Sequence, residues 1–184
     1  MLRVQETTKW RPAPELGSVV IAADAWTTPD AKGPVSMFLG ELRKRCPRAT
    51  IVVVVDMVGI GYNLGKWPAA DGYDVRGFIA NGAPLNQTTF YDAKAEAFWT
   101  LGEWMKRGLF GLTDTDTQGQ LIAIQYKPMP SGQIRIEPKD EMKKRGMRSP
   151  DRAEAAVMAY ATLVPLRQEV SNKAWGERAV LMHR

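Results

Sequence analysis

Histidine and cysteine are almost missing from this chain, which has one of each: His183, next to the carboxyl terminus, and Cys46. One cysteine excludes an internal disulfide, and the two residues together leave no Cys/His zinc site and no histidine-based triad. Long apolar runs are missing too. No stretch approaches the roughly 18 to 20 apolar residues of a membrane span, and the amino terminus lacks the charged-then-apolar layout of a signal peptide. The expectation is a cytoplasmic protein with no membrane partner. There are no internal repeats or low-complexity segments. Acidic residues are outnumbered, 20 Asp and Glu against 25 Lys and Arg, for a formal charge of +5 and a pI near 9.4. That balance suits a polyanionic partner, because lysines and arginines displace phosphate counterions.

What is present suits one globular domain. The chain has 184 residues, 45% hydrophobic and 24% charged, enough for one full core. We expect a domain over residues 1–164 and a polar, partly disordered tail over 165–184.

The stretch TIVVVVDMVGIG, Thr50 to Gly61, organises the rest. Ile51 to Val55 are five consecutive β-branched residues, too short a run for an ordinary helix and suited to a strand buried on both faces. The strand delivers Asp56 to its end, and Gly59 and Gly61 then allow a tight turn and close approach to a ligand. Before it, Leu2 to Trp10 and Gly17 to Trp26 read as strands of an antiparallel hairpin or meander around the turn Arg11 to Leu16. Pro34 to Arg45 reads as a helix, with Arg43 to Arg45 at its negative end and Cys46 and Pro47 closing it. Tyr73 to Ile79 reads as a strand, Asn81 to Thr89 as a loop, and Tyr91 to Arg107 as the longest helix, ended by Gly108. In that helix Ala95, Phe98, Trp99 and Met105 mark the apolar face, with Asp92, Lys94, Glu96, Glu103 and Lys106 largely off it. Asp116 or Thr117 would cap a short helix through Gln125, and Gln133 to Glu137 alternates as a strand after the turn Ser131-Gly132.

The chemistry rests on carboxylates, the only plausible metal ligands left. Asp151 and Glu154 stand three apart at the start of a helix over Asp151 to Leu163, opened by Ser149-Pro150, and emerge on one face. Capping and the helix dipole explain both acids without any ligand. If this helix packs beside the end of the Ile51 strand, however, Asp56, Asp151 and Glu154 converge, and their repulsion calls for a divalent cation. Oxygen-only ligands suit Mg²⁺ or Mn²⁺, one ion or two. Two ions about 4 Å apart hydrolyse phosphodiesters without histidine. The charge run before this helix, with Lys139, Lys143, Lys144, Arg145 and Arg148, is either a solvated face or a grip on DNA backbone phosphates.

VVVVDMVGIGYNL, FYDAKAEAFWTLGEWMKRG and GQIRIEPKDEMKKRGMRSPDRAEAAVMAYA, in this order, resemble the carboxyl-terminal nuclease domain of the large terminase subunit of tailed bacteriophages, over roughly Leu2 to Leu163. Each piece is modestly specific, and the ordered set is far more so. The resemblance implies an α/β fold of RNase H-like (RuvC-like) type, with a mixed central sheet flanked by helices. It implies metal-dependent cleavage of concatemeric, double-stranded viral DNA during packaging in a bacterial host cell. It also implies partners in the terminase ATPase domain or other packaging proteins, such as the portal and small terminase. By position, Asp56 matches the acid at the end of the central strand, Asp151 the acid opening the last helix, and Glu154 a second acid one turn later. Lys139 and Lys143 fall in the basic approach to that helix.

The chain departs from the family pattern in two ways. The family's first strand and its catalytic aspartate have no counterpart here, and Asp24 is the nearby acid that could substitute as a metal ligand. No G-x-x-x-x-G-K-[ST] motif is present: GIGYNLGKW, Gly59 to Trp67, has the wrong glycine interval and no hydroxyl after Lys66. The resemblance therefore extends to the nuclease part alone and not to the motor. Three readings stay open: a metal-dependent nuclease as above, a catalytically inert remnant binding DNA or packaging proteins through its basic face, and a junction-cutting resolvase of the same fold.

Overall fold

The strand β3 (Ile51–Asp56) lies between two others: β1 (Arg3–Val4) pairs with it antiparallel, and β4 (Asp74–Phe78) pairs parallel, ending with Asp56 opposite Phe78. The computed structural model describes residues 3–4, 18–20, 30–58, 61–108, 110–112 and 114–161. The remaining elements are β2 (Ser18–Val20), α1 (Lys32–Arg45), α2 (Gly61–Leu64), α3 (Lys66–Ala70), α4 (Ala93–Lys106), β5 (Phe110–Leu112), α5 (Thr115–Ala123), β6 (Tyr126–Pro128), β7 (Ile134–Ile136), α6 (Lys139–Lys144) and α7 (Asp151–Ala161). Among the described residues no helix is long and apolar enough to cross a membrane.

The β-branched run makes β3 a strand, and its alternation sends its side chains into two cores. Ile51 and Val53 are buried with Val75 against Leu39, Leu42 and Cys46 of α1 and its end. Val54 faces the other way, onto a core of Phe78, Ala97, Leu101, Phe110, Val157 and Tyr160. The expectation of burial on both faces is met only in part, since Val52, Val54 and Val55 are half-buried. The second face opens toward a cleft at the carboxyl end of the strand.

The expected hairpin between the first two strands is not formed by their described parts. Arg3–Val4 pairs with β3, while Ser18–Val20 pairs parallel with β5 in a separate sheet. Alternation identifies a strand but says nothing of its partner, which long-range packing chooses. The rest of both segments, the turn Arg11 to Leu16, Asp24, Gly59 and the tail over 165–184 lie outside the described residues.

α4 begins where Asp92 caps it, its carboxylate accepting from Ala95 N at 2.8 Å, and ends where Gly108 takes a left-handed conformation with φ 70°. Its inward face differs from expectation. Met105 is 39% exposed, whereas Glu96 is only 9% exposed. The burial of Glu96 is matched by hydrogen bonds, since it accepts from Leu85 N at 2.6 Å and Asn86 N at 3.1 Å and so pins the loop after β4. The small side chains of Ala93 and Ala97, with Leu101 one turn on, let α7 pack close to α4, and Trp104 meets Tyr160 edge-on at 5.1 Å. Burying Leu101 alone contributes about 1.5–3 kcal/mol.

α5 is capped by Asp114, ahead of the expected positions, through Thr117 N at 2.8 Å. Thr117 itself is fully buried and donates its hydroxyl to the same carboxylate. β6 and β7 form a hairpin turned at Gly132, φ 84°. The strand β6 escapes a sequence reading because it is three residues long and ends in Pro128, tolerable only at a sheet edge.

Candidate active site

Asp56 ends β3 at the carboxyl side of a parallel pair, the position where α/β sheets commonly open a crevice for ligands. The ladder runs one residue further, Met57 N donating to Phe78 O at 2.8 Å, and the chain then bends so that Val58 N donates to Asp56 Oδ1 at 2.9 Å. Together with Phe78, Asn81, Lys94, Lys139 and Glu154, Asp56 lines a cavity of about 240 Å³.

α7 supplies the facing acids. It packs against β3, α4 and α5, and the first turn brings Glu154 into the cavity with Asp151 at its rim. Lys139, the first residue of α6, bridges them: its Nζ lies 2.9 Å from Glu154 Oε2 and 3.8 Å from Asp151 Oδ1. Burial pulls the Lys139 pKa down, but the hydrogen bond to Glu154 and the charges of Glu154, Asp151 and Asp56 outweigh it, so the ammonium sits above its ordinary value. Two of the expected acids thus flank this one cation, and Asp56 lines the same cavity. Glu154 Oε1 is taken by a second, Lys94 Nζ, at 2.6 Å. Ser149 does not cap α7 with its side chain in the expected way; its hydroxyl donates to Asp151 Oδ1 at 2.5 Å.

Lys94 and Asn81 are the polar cavity residues that sequence reasoning missed. The helix wheel put Lys94 on the solvent side of α4, which is correct for an isolated helix. α7 then covers that side, and the lysine meets Glu154 from 60 positions away in sequence.

The basic run does not act as one surface. Lys139 is committed to the cleft acids. Lys143 and Lys144 are exposed on α6, Lys143 4.0 Å from Asp140. Arg145 corrects the expectation of a uniform basic face. Its Nε donates to Glu137 Oε2 at 3.1 Å, its Nη2 to Glu137 Oε1 and to Ala123 O at 3.0 Å. Glu137 is 2% exposed and also accepts from Gln125 N at 2.9 Å. A buried carboxylate needs a cation, and Arg145 is the one that reaches it. Arg148 is exposed and lies away from the cleft, beside α5.

Oxygen donors from Asp56, Asp151 and Glu154 are of the type that suits a hard divalent cation. Their arrangement is less complete. Among the described residues no three acidic or histidine side chains converge closely enough to hold an ion, and two lysines already engage Glu154.

No family model and no curated protein matches this chain. Solved structures do. A mutant nuclease domain of the large terminase subunit gp2 of bacterial virus Sf6, with manganese and beta-thujaplicinol, superposes with a TM-score of 0.64 at 17% identity, covering 78% of this chain and 77% of that one. The same domain without the mutation gives 0.54 at 18% identity, over 66% of this chain and 69% of that one. A mutant with calcium gives 0.53 at 18% identity, over 66% and 69%. The fold of this chain is that of these nuclease domains, an α/β fold of RNase H-like type, and the resemblance read from the sequence motifs holds in three dimensions.

Proposed function

We propose that this chain is a DNA endonuclease domain of the terminase type, cutting double-stranded viral DNA during genome packaging, with the ATPase motor, portal and small terminase as its partners. One observation carries the proposal: Asp56 of β3 and Glu154 of α7, far apart in sequence, line one cleft together with Lys139. The likeness of fold to the Sf6 nuclease domain supports the same reading.

The proposed cofactor is Mg²⁺ or Mn²⁺, one ion or two. Asp56 and Asp151 would hold it, with Glu154 and Asp24 as further carboxylates, and Glu154 must release a lysine to take part. When bound, such ions activate water and stabilise the leaving oxygen. The chain's own residues set the rest. Val58 N–H fixes one oxygen of Asp56 and leaves the other to orient a water or an ion. Lys94 holds Glu154 in place from the side of α4. Lys139, half-exposed at the rim, offers positive charge to a phosphate arriving at the cleft.

The pairing of Glu154 with two lysines also favours a second reading, a domain that binds DNA or packaging proteins without cutting. Nicking of supercoiled DNA separates the two. The first reading expects nicking that needs Mn²⁺ or Mg²⁺, is abolished by chelator, and falls by roughly 100-fold or more in Asp56→Asn and in Asp151→Asn. Unchanged cutting in both variants would show that the site is elsewhere. Salt-sensitive binding with no cutting at any metal concentration would favour the second reading.

A further inference from the structure

The first turn of α7 borders two cavities. Glu154 faces the cleft, while Arg152, two residues earlier, points about 200° around the helix from it and lines a second cavity of about 470 Å³ against α5. Arg148, Ser149, Gln120 and Thr115 contribute to the same cavity, with Asp116 on the α5 side. Ser149 donates to Asp151 and Arg152 pairs with Asp114, while other donors are unused. Among the described residues Arg148 makes no ion pair or hydrogen bond, and Thr115 and the Gln120 amide nitrogen donate to nothing. Gln120 is held in place through its oxygen, which accepts from Ala153 N at 3.0 Å. Arg152 is braced by Asp114, 3.8 Å away.

We infer that this second cavity holds a backbone phosphate of the same DNA strand that enters the cleft. This subsite rests on the nucleic-acid reading above and adds to it a path for the strand across the start of α7. Arginine suits such a grip, since its planar fork can hold two phosphate oxygens at once. A helix is roughly 10 Å across with its side chains, and a strand of B-DNA rises about 3.4 Å per nucleotide. The gripped phosphate therefore lies a few nucleotides along the strand from the one at the cleft. Asp116 opposes binding and sets the sign of a control.

The test uses the full chain carrying Asp56→Asn, so that DNA is bound and not cut, with binding of a labelled duplex followed against salt concentration. Adding Arg148→Ala should weaken binding and reduce the slope of log K against log salt by about 0.9, the loss of one phosphate contact. Asp116→Asn should tighten binding. Replacing single linkages by uncharged methylphosphonates should reveal one position whose neutralisation weakens the parent but not Arg148→Ala. Arg148 is exposed and has no partner among the described residues, so its replacement leaves the fold intact, and Arg148→Lys should restore the salt slope. If the parent binds DNA while Arg148→Ala keeps the same slope and the same linkage profile, the subsite is refuted and the nuclease reading survives. If the parent binds no DNA at any salt concentration, the nucleic-acid reading falls and the subsite with it.

Discussion

Lys94 Nζ lies 2.6 Å from Glu154 Oε1, and both side chains are about four-fifths buried, at 19% and 18% exposure. This contact ties the first turn of α4 to the first turn of α7 and fixes one wall of the cleft. Removing one partner of such a pair leaves the other charged and desolvated. Because Lys139 remains to neutralise Glu154, we predict that Lys94→Met costs about 1–2 kcal/mol, less than the ~3–5 kcal/mol of an unrelieved buried charge. Urea unfolding measures it, and a loss above that range would mean that Lys139 does not compensate.

Arg145 is predicted to matter for stability and not for DNA. Arg145→Met strands the buried Glu137 carboxylate and should cost about 3–5 kcal/mol, whereas Glu137→Gln with Arg145→Met should recover part of that loss. Lys144→Ala, on the exposed side of α6, should leave stability within about 0.5 kcal/mol. Thermal or urea melts of the parent and the three variants decide this. Equal stability of Arg145→Met and Lys144→Ala would contradict the assignment.

The same pair predicts a pH dependence. Burial raises the Glu137 pKa, but hydrogen bonds from Arg145 and Gln125 N and the charges of Arg145 and Lys127 win, leaving it below the ordinary 4.5. A depressed folded-state pKa stabilises the fold above the unfolded value and loses that contribution as the pH falls through the folded one. Stability should thus decline below about pH 4.5, and Glu137→Gln should flatten part of that decline. Denaturant midpoints measured down the acid range give the comparison, and parallel curves for the two chains would rule the residue out as a source.

Glu96 is predicted to act on the loop that carries Asn81 to the cleft. Glu96→Ala leaves Leu85 N–H and Asn86 N–H without their acceptor, at about 1–3 kcal/mol for each group that stays buried. Amide exchange at both positions should accelerate, with little change in the β3 amides. Exchange that rises uniformly across the chain would instead indicate global loss of stability.

Several features were legible from residues alone. Five β-branched positions in a row followed by Asp56 define a strand and place an acid at its end, since such a run fits no ordinary helix. Ser-Pro-Asp followed by an alanine-rich segment marks where α7 starts, and the three-residue interval puts Asp151 and Glu154 on one side of it. Local sterics and helix geometry decide these points, and both are written in neighbouring residues.

Only the tertiary structure decided which of these pieces meet. Lys94 and Glu96 are two polar residues in the same helical turn, both read as off the apolar face, yet one enters the cleft and the other anchors a loop. Arg145 belongs to the same charge run as Lys144 and is withdrawn from it by a carboxylate whose burial no local pattern announces. The described parts of the first two strands take different partners, β3 and β5, because edge hydrogen bonding is satisfied by whichever strand the packing brings alongside. Periodicity specifies the face a residue occupies; what covers that face is set by contacts between segments distant in the chain, where burial and charge neutralisation are settled together.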